Sequence, residues 1–210
     1  MLRDWRTLVA AALVACGALG AFAAVTHGFA AVTSDGVRRA DLASTPRALP
    51  AIDLLDATGQ PLSLQDYGRP GRQATFVTLV YVRCQSICLT SAAGQSWLQG
   101  EIQARGLADR IRLLTLSFDP ASDTPAVLAE HARRLNADPA LWRFATVRDP
   151  ADLKGMLAPF DIVVLPDGLG GYSHNAALFL VDEAGRLSRA YDIERPDIAL
   201  ADHLRRAGLL

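Results

Sequence analysis

The chain begins with a long apolar stretch, and the spacing of its apolar positions changes several times after it. No Asp, Glu, Lys or Arg occurs between Thr7 and Val32, and the nineteen residues from Thr7 to Val25 contain no His either. A helix of that length rises ~1.5 Å per residue and can cross a hydrocarbon layer of ~30 Å. Residues 33–50 have mixed charge, two prolines and no period, and read as a linker. Residues 51–68 alternate around "ATGQ" and predict a short hairpin whose second strand runs to Asp66-Tyr67-Gly68.

"ATFVTLVYV" (74–82) is β-branched and apolar at both parities, which marks a central strand buried on both faces. From about Ser86 to Arg105 the spacing is helical, closing at Gly106. "RIRLLTLSF" (110–118) predicts the next buried strand. In "SDTPAVLAEHARRLNAD", Asp123 or Thr124 caps a helix and Pro125 occupies its first turn. Leu128 and Leu135 of that helix face inward, and His131 lies on its exposed side.

A strand at "WRFATV" (142–147) and a helix from Pro150 to about Pro159 follow. Residues 161–175 show no clear element. Residues 176–192 form a hairpin turning on Asp182 to Gly185, and a helix from Pro196 to Gly208 carries Ile198, His203 and Leu204. The order is a hairpin, alternating strands and helices, a second hairpin and a helix. It predicts an α/β domain with a mixed sheet and helices on both faces.

Composition narrows the function classes. A net charge of −1 gives no electrostatic case for nucleic acid or an acidic membrane surface as partner. Lys154 is the single lysine beside 20 arginines, a bias with no function attached. Arg3 and Arg6 precede the apolar span and no basic residue follows it until Arg38, which keeps the N-terminus cytoplasmic. The expectation is a single-pass inner-membrane protein with its domain on the periplasmic side. Two rival readings use the same residues: signal cleavage near Ala24 or Ala31, or lipidation at Cys16 behind "LVAC". All three export the domain, giving segment 1–32 as anchor or signal, 33–50 as linker and 51–210 as the domain.

Export leaves Cys84 and Cys88 as the cysteines of the soluble part. Placed four apart at the exit of a buried strand, they suit a metal site, a redox couple or a static bridge. Cys84 lies just before a helix, where unpaired N–H groups favour thiolate, and the N–H of Gln85 could add a donor.

Three segments in this order, "VYVRCQSIC", "SFDPASDTPAVLAEHARRL" and "SHNAALFLVDEAGRL", resemble the SCO/SenC family over residues 50–207. These are thioredoxin-fold proteins associated with copper delivery to cytochrome c oxidase. The chain departs from the family pattern at Gln85 and Leu89, where prolines are usual, and at Ser173 and Asn175, where an aspartate flanks the histidine.

The resemblance implies a thioredoxin-like fold and a copper ion, Cu(I) or Cu(II), held by Cys84, Cys88 and His174. Asp119 would stand behind the ligands as a supporting carboxylate. The implied partner is an oxidase subunit with a copper site, or another periplasmic copper protein. Thiolate selects Cu(I), while imidazole suits Cu(II) as well. In this reading the chain is a metallochaperone rather than a turnover enzyme.

The first alternative is a thiol-disulfide oxidoreductase in which Cys84 attacks and Cys88 resolves. Tyr172–Asn175 contain no proline to act as that class's cis-Pro. Val80 stands where a peroxidatic pattern has Thr. The second alternative is a binding module with a static disulfide. Asp123 suits turn and cap geometry; His27, His131 and His203 read as bystanders, and Trp97 and Trp142 as packing.

Overall fold

The computed structural model describes residues 2–26, 28–29, 31–84 and 87–209. The chain divides into two compact units, Met1–Ser44 and Thr45–Leu210. The first contains α1 (Leu2–Val25) and α2 (Ser34–Ser44). By length and composition, Trp5–Val25 of α1 can cross a membrane, and its side chains are not covered by protein. His27 lies outside the described residues.

The stretch read as an aperiodic linker holds α2 and the short strand β1 (Arg47–Ala48). In α2 only Arg38 and Leu42 are buried, too narrow a stripe to show as a period.

The second unit is built on an eight-stranded sheet of order β1-β10-β9-β4-β5-β6-β2-β3. At its centre β4 (Ala74–Val80), β5 (Ile111–Ser117) and β6 (Trp142–Val147) run parallel, aligned Ala74 to Ile111 and Leu113 to Trp142. β9 (Leu178–Val181) and β10 (Arg186–Tyr191) form a hairpin that joins β4 antiparallel. The hairpin of β2 (Asp53–Asp56) and β3 (Pro61–Ser63) joins β6 on the other side. Its turn is fixed by Asp56, whose Oδ1 accepts from the Thr58 and Gln60 amides. β3 stops at Ser63, and the expected end of that strand is instead a 3-10 turn, Leu64–Gly68.

Helices α3 (Ile87–Ala104), α4 (Pro125–Arg134) and α6 (Pro196–Arg206) cover one face. Leu98, Ile102, Leu128 and Leu200 meet Phe76, Leu113, Trp142 and Phe144 there in one buried cluster. Burying a side chain of that size is worth about 1.5–3 kcal/mol, so this layer holds the sheet in place. The opposite face carries Val77, Leu79, Leu114, Leu116 and Phe179, and Phe160 stacks edge-on to Phe179 at 5.0 Å. Phe160 ends a run of short helical turns with α5 (Leu153–Leu157) at its centre.

The structure settles three details of the sequence reading. Thr124, not Asp123, caps α4, accepting from the Val127 amide. His203, read as a bystander, is 2 % exposed and packs against Phe76 in the core. His131 is half-buried and turned edge-on to Phe144. Residues 161–175, without a clear element in the sequence, form a separate hairpin of β7 (Val164–Pro166) and β8 (Tyr172–His174).

Candidate metal centre

The buried strand β4 ends at Val80, and the chain turns there, with the Cys84 amide donating to the Tyr81 carbonyl at 3.2 Å. That turn places Cys84 beside the first turn of α3, which carries Cys88; both residues are buried. Residues 85 and 86, including the donor proposed for Gln85, lie outside the described residues. His174 arrives from the end of β8. The sulfurs of Cys84 and Cys88 and a ring nitrogen of His174 lie within 4.8 Å of one another. Cys88 Sγ is 3.7 Å from His174 Nε2. Among the described residues this is the group of three or more His, Cys, Asp and Glu side chains placed to hold a metal ion.

The imidazole is oriented from behind. His174 Nδ1 lies 3.0 Å from the carbonyl oxygen of Asn175. A carbonyl only accepts, so Nδ1 carries the proton and Nε2 keeps its lone pair toward the sulfurs. The Asn175 side chain accepts from the Val163 amide and donates to the Asp161 carbonyl, both at 2.8 Å. A residue that departs from the family pattern therefore anchors the hairpin by its amide and the ring by its backbone.

Burial holds the His174 pKa below its usual value, with the Asn175 bond opposing. Burial also pushes the Cys88 thiol well above its usual value, reinforced by a hydrogen bond with the Cys84 sulfur. Both groups are therefore neutral at neutral pH, and a soft cation binding there displaces thiol protons.

Three aromatic residues that the sequence did not single out enclose the ring. Phe118 meets His174 at 4.8 Å between ring centroids and Tyr81 meets it at 6.1 Å. Tyr172 closes the group, 5.2 Å from Tyr81. The Tyr81 hydroxyl accepts from the Tyr172 amide at 3.3 Å. A Cβ at Gly171 would come 3.0 Å from that hydroxyl and 2.7 Å from Asp167 Oδ2, so a side chain there would have to push the Asp167 carboxylate or the Tyr81 hydroxyl aside. Behind the sulfurs a cavity of about 40 Å³ is bounded by Thr78, Ser91, Thr115 and His131.

The two aspartates divide the support differently from the expectation. Asp119, buried, takes Arg83 Nη2 at 3.2 Å and so restrains the residue before Cys84. Asp123 is fully buried; its Oδ2 accepts from Ser117 Oγ at 2.5 Å and from the Val82 amide at 2.9 Å. Asp123 thus holds the backbone of the cysteine turn itself. Its burial away from solvent, which raises its pKa, was not visible in a segment that reads as a helix cap.

Comparison with known proteins agrees with this layout. A SCO1 protein homolog of Bacillus subtilis is 24% identical over 115 residues, which is 54% of this chain and 58% of the relative's length. The structure of Bradyrhizobium japonicum ScoI with copper bound superposes with a TM-score of 0.58 at 24% identity, covering 76% of this chain and 99% of that one. BsSco, described as having a disulfide switch and as a member of the Sco family of cytochrome c oxidase assembly proteins, superposes with a TM-score of 0.66 at 19% identity. That match covers 79% of this chain and 96% of BsSco. At these identities the superpositions establish the fold, which is the thioredoxin-like one of the Sco proteins. The sequence model of SCO1/SenC matches residues 41–208, taking in both cysteines, both aspartates and His174, and the chain belongs to the SCO1/SenC family.

Proposed function

We propose that the domain binds one copper ion through Cys84, Cys88 and His174 and passes it to a copper site of a respiratory oxidase. The observation that carries this reading is the convergence of two sulfurs and one imidazole nitrogen within 4.8 Å. Two thiolates suit Cu(I), and the imidazole extends the set to Cu(II). Three protein ligands leave room for an incoming ligand from a receiving protein, so copper is cargo and not a resident cofactor. Asp123 and Asp119 hold the cysteine turn, while Asn175 fixes the imidazole tautomer. The aromatic enclosure keeps water from the ring. Support for copper and for the oxidase comes from the family and from the relatives described above.

The domain lies outside the cytoplasm, tethered by α1 as a single-pass anchor of the inner membrane. Arg3 and Arg6 before the span support that orientation. A periplasm-dependent reporter fused after Leu210 is expected to be active; activity of a cytoplasm-dependent reporter there overturns the topology.

The site is tested by titrating the reduced, detergent-solubilised chain with Cu(I) and Cu(II), alongside His174→Ala and Cys84→Ser. Loss of either cysteine is expected to abolish both complexes, and His174→Ala to damage Cu(II) binding far more than Cu(I) binding. One-to-one Cu(II) binding that ignores His174 overturns the assigned site. A second reading, thiol-disulfide exchange with a copper protein, is favoured by one observation: the Cys88 thiol is hydrogen-bonded to the Cys84 sulfur. In that case Cys84→Ser alone stops exchange and His174→Ala leaves it unchanged.

A further inference from the structure

At the other end of the parallel strands the sheet does something a buried sheet rarely does. On the face that carries Val77, Leu79, Leu114 and Leu116, the first in-register positions are Thr75, Arg112 and Arg143. Thr75 pairs directly with Arg112, and Arg143 sits one strand further on, aligned with Leu114. These side chains, with Leu62, Asp66, Tyr67, Arg72 and Gln73, line a cavity of about 210 Å³.

Three guanidinium groups share this cavity, and none of them forms an ion pair or a side-chain hydrogen bond with a described residue. Arg112 Nε is buried and donates to no described atom. Asp66, the carboxylate in the wall, is held by Arg69 at 2.7 Å. The charge of Arg143 acts on Asp56, but Asp56 Oδ1 already serves its own turn. The Tyr67 hydroxyl lies in the same field; burial keeps it protonated, a donor rather than an anion. Arg112 is half-buried, with Arg72 and Arg143 exposed at the rim, and like charges gathered this closely repel one another. Forked guanidinium donors match tetrahedral oxyanions in both charge and geometry.

We propose that this cavity is a binding site for a small phosphate-bearing anion, held by Arg72, Arg112 and Arg143 with Tyr67 as a neutral donor. The site is separate from the metal centre: Thr75 to Tyr81 spans ~20 Å at ~3.3 Å per residue. A volume of about 210 Å³ exceeds the needs of a single small ion and suits a pyrophosphate or a phosphorylated small molecule. The same chemistry is offered by a free polyphosphate and by a lipid headgroup.

The test uses the full chain in a non-ionic detergent, metal-free and reduced, with binding read by calorimetry and thermal unfolding. Inorganic pyrophosphate stands for the free source and glycerol 3-phosphate for the headgroup, each against chloride at matched ionic strength. One or both are expected to bind saturably, and at about a hundred times Kd the bound anion raises Tm by about 5–10 °C. The tighter probe names the source.

Arg112→Gln and Arg143→Gln are each expected to weaken binding about tenfold or more, the worth of one charge-assisted bond. Without anion, Arg143→Gln is expected to unfold no earlier than the wild type, because it relieves repulsion; with anion the order reverses. Arg143 is exposed, so this variant folds even if Arg112→Gln does not. Absence of saturable binding above the chloride control, or binding that survives Arg143→Gln unchanged, overturns the site.

Discussion

The parallel strands β4, β5 and β6 are capped by opposite chemistries. At their C-terminal ends, two sulfurs and an imidazole sit in an aromatic enclosure, and specific partners hold them from behind: the Asn175 carbonyl for the ring and Asp123 Oδ2 for the cysteine turn. At their N-terminal ends, hard permanent cations share a cavity with little to answer them. The same sheet supports both because its middle is buried on both faces and mostly apolar, with Phe76, Val77 and Leu79 beside Leu113, Leu114 and Leu116. One end is completed by the fold, and the other awaits a ligand. Guanidinium charge cannot be neutralised by proton loss, whereas thiols and imidazole hold or shed a proton.

The comparison breaks most sharply if one end answers for the other. Cys84→Ser is expected to weaken Cu(I) binding by about a hundredfold or more, since a lone thiolate with imidazole is a poor set for a soft ion. It should leave pyrophosphate binding unchanged. Arg143→Gln should show the reverse pattern. Calorimetry of both variants with both ligands checks the pair, and a cross-effect in either direction would join the two ends.

A smaller effect sharpens what "completed by the fold" means. Asp123→Ala removes the acceptor of both the Val82 amide and the Ser117 hydroxyl, and each orphaned buried group costs about 1–3 kcal/mol. Denaturant unfolding should therefore show a loss of about 2–6 kcal/mol on the same scale. Asp123→Asn, which keeps one acceptor oxygen, should recover most of it.

The smallest effect is in acid. Burial lowers the His203 pKa, though Glu183, Asp182 and Asp202 pull it the other way. A histidine depressed in the folded state binds its proton more readily when unfolded. Its contribution to stability is thus full above the unfolded pKa of ~6.5 and falls as pH drops below it, by at most about 1.4 kcal/mol per pH unit. His203→Gln should flatten that part of the stability–pH curve, read by thermal melts between pH 7.5 and 5. An unchanged slope would remove His203 as the cause.

How far these features could be read in advance depended on how local they are. The central strands stand out because residues buried on both faces leave unbroken β-branched runs, and α4 because Thr124-Pro125 is a short-range signal. β7 and β8 did not stand out. Three-residue strands have no measurable period, and the turn between them is organised by Asp167, whose Oδ1 accepts from the Leu169 and Gly171 amides. The cysteines declared themselves by spacing. His174 is 86 residues beyond Cys88 and could be joined to it only through resemblance to a family. Tyr81, Phe118 and Tyr172 sit next to the motifs, but nothing in one dimension brings their rings together. Arg112 and Arg143 were in plain view inside runs read as buried strands; a charge at such a parity is itself the signal.

The hairpin that delivers His174 is paired with no strand of the main sheet. Two-stranded ribbons are marginal by themselves, and this one is tied down by Asn175, the Tyr81 hydroxyl and ring stacking. Opening such a unit costs far less than unfolding the domain. In the proposed site, His174 can therefore depart while the two sulfurs stay at the turn between β4 and α3. If the proposed site holds copper, its dwell time and the durability of the scaffold become separate properties. Substitutions in 161–171 can retune the first, making the grip brief or prolonged, without touching the second.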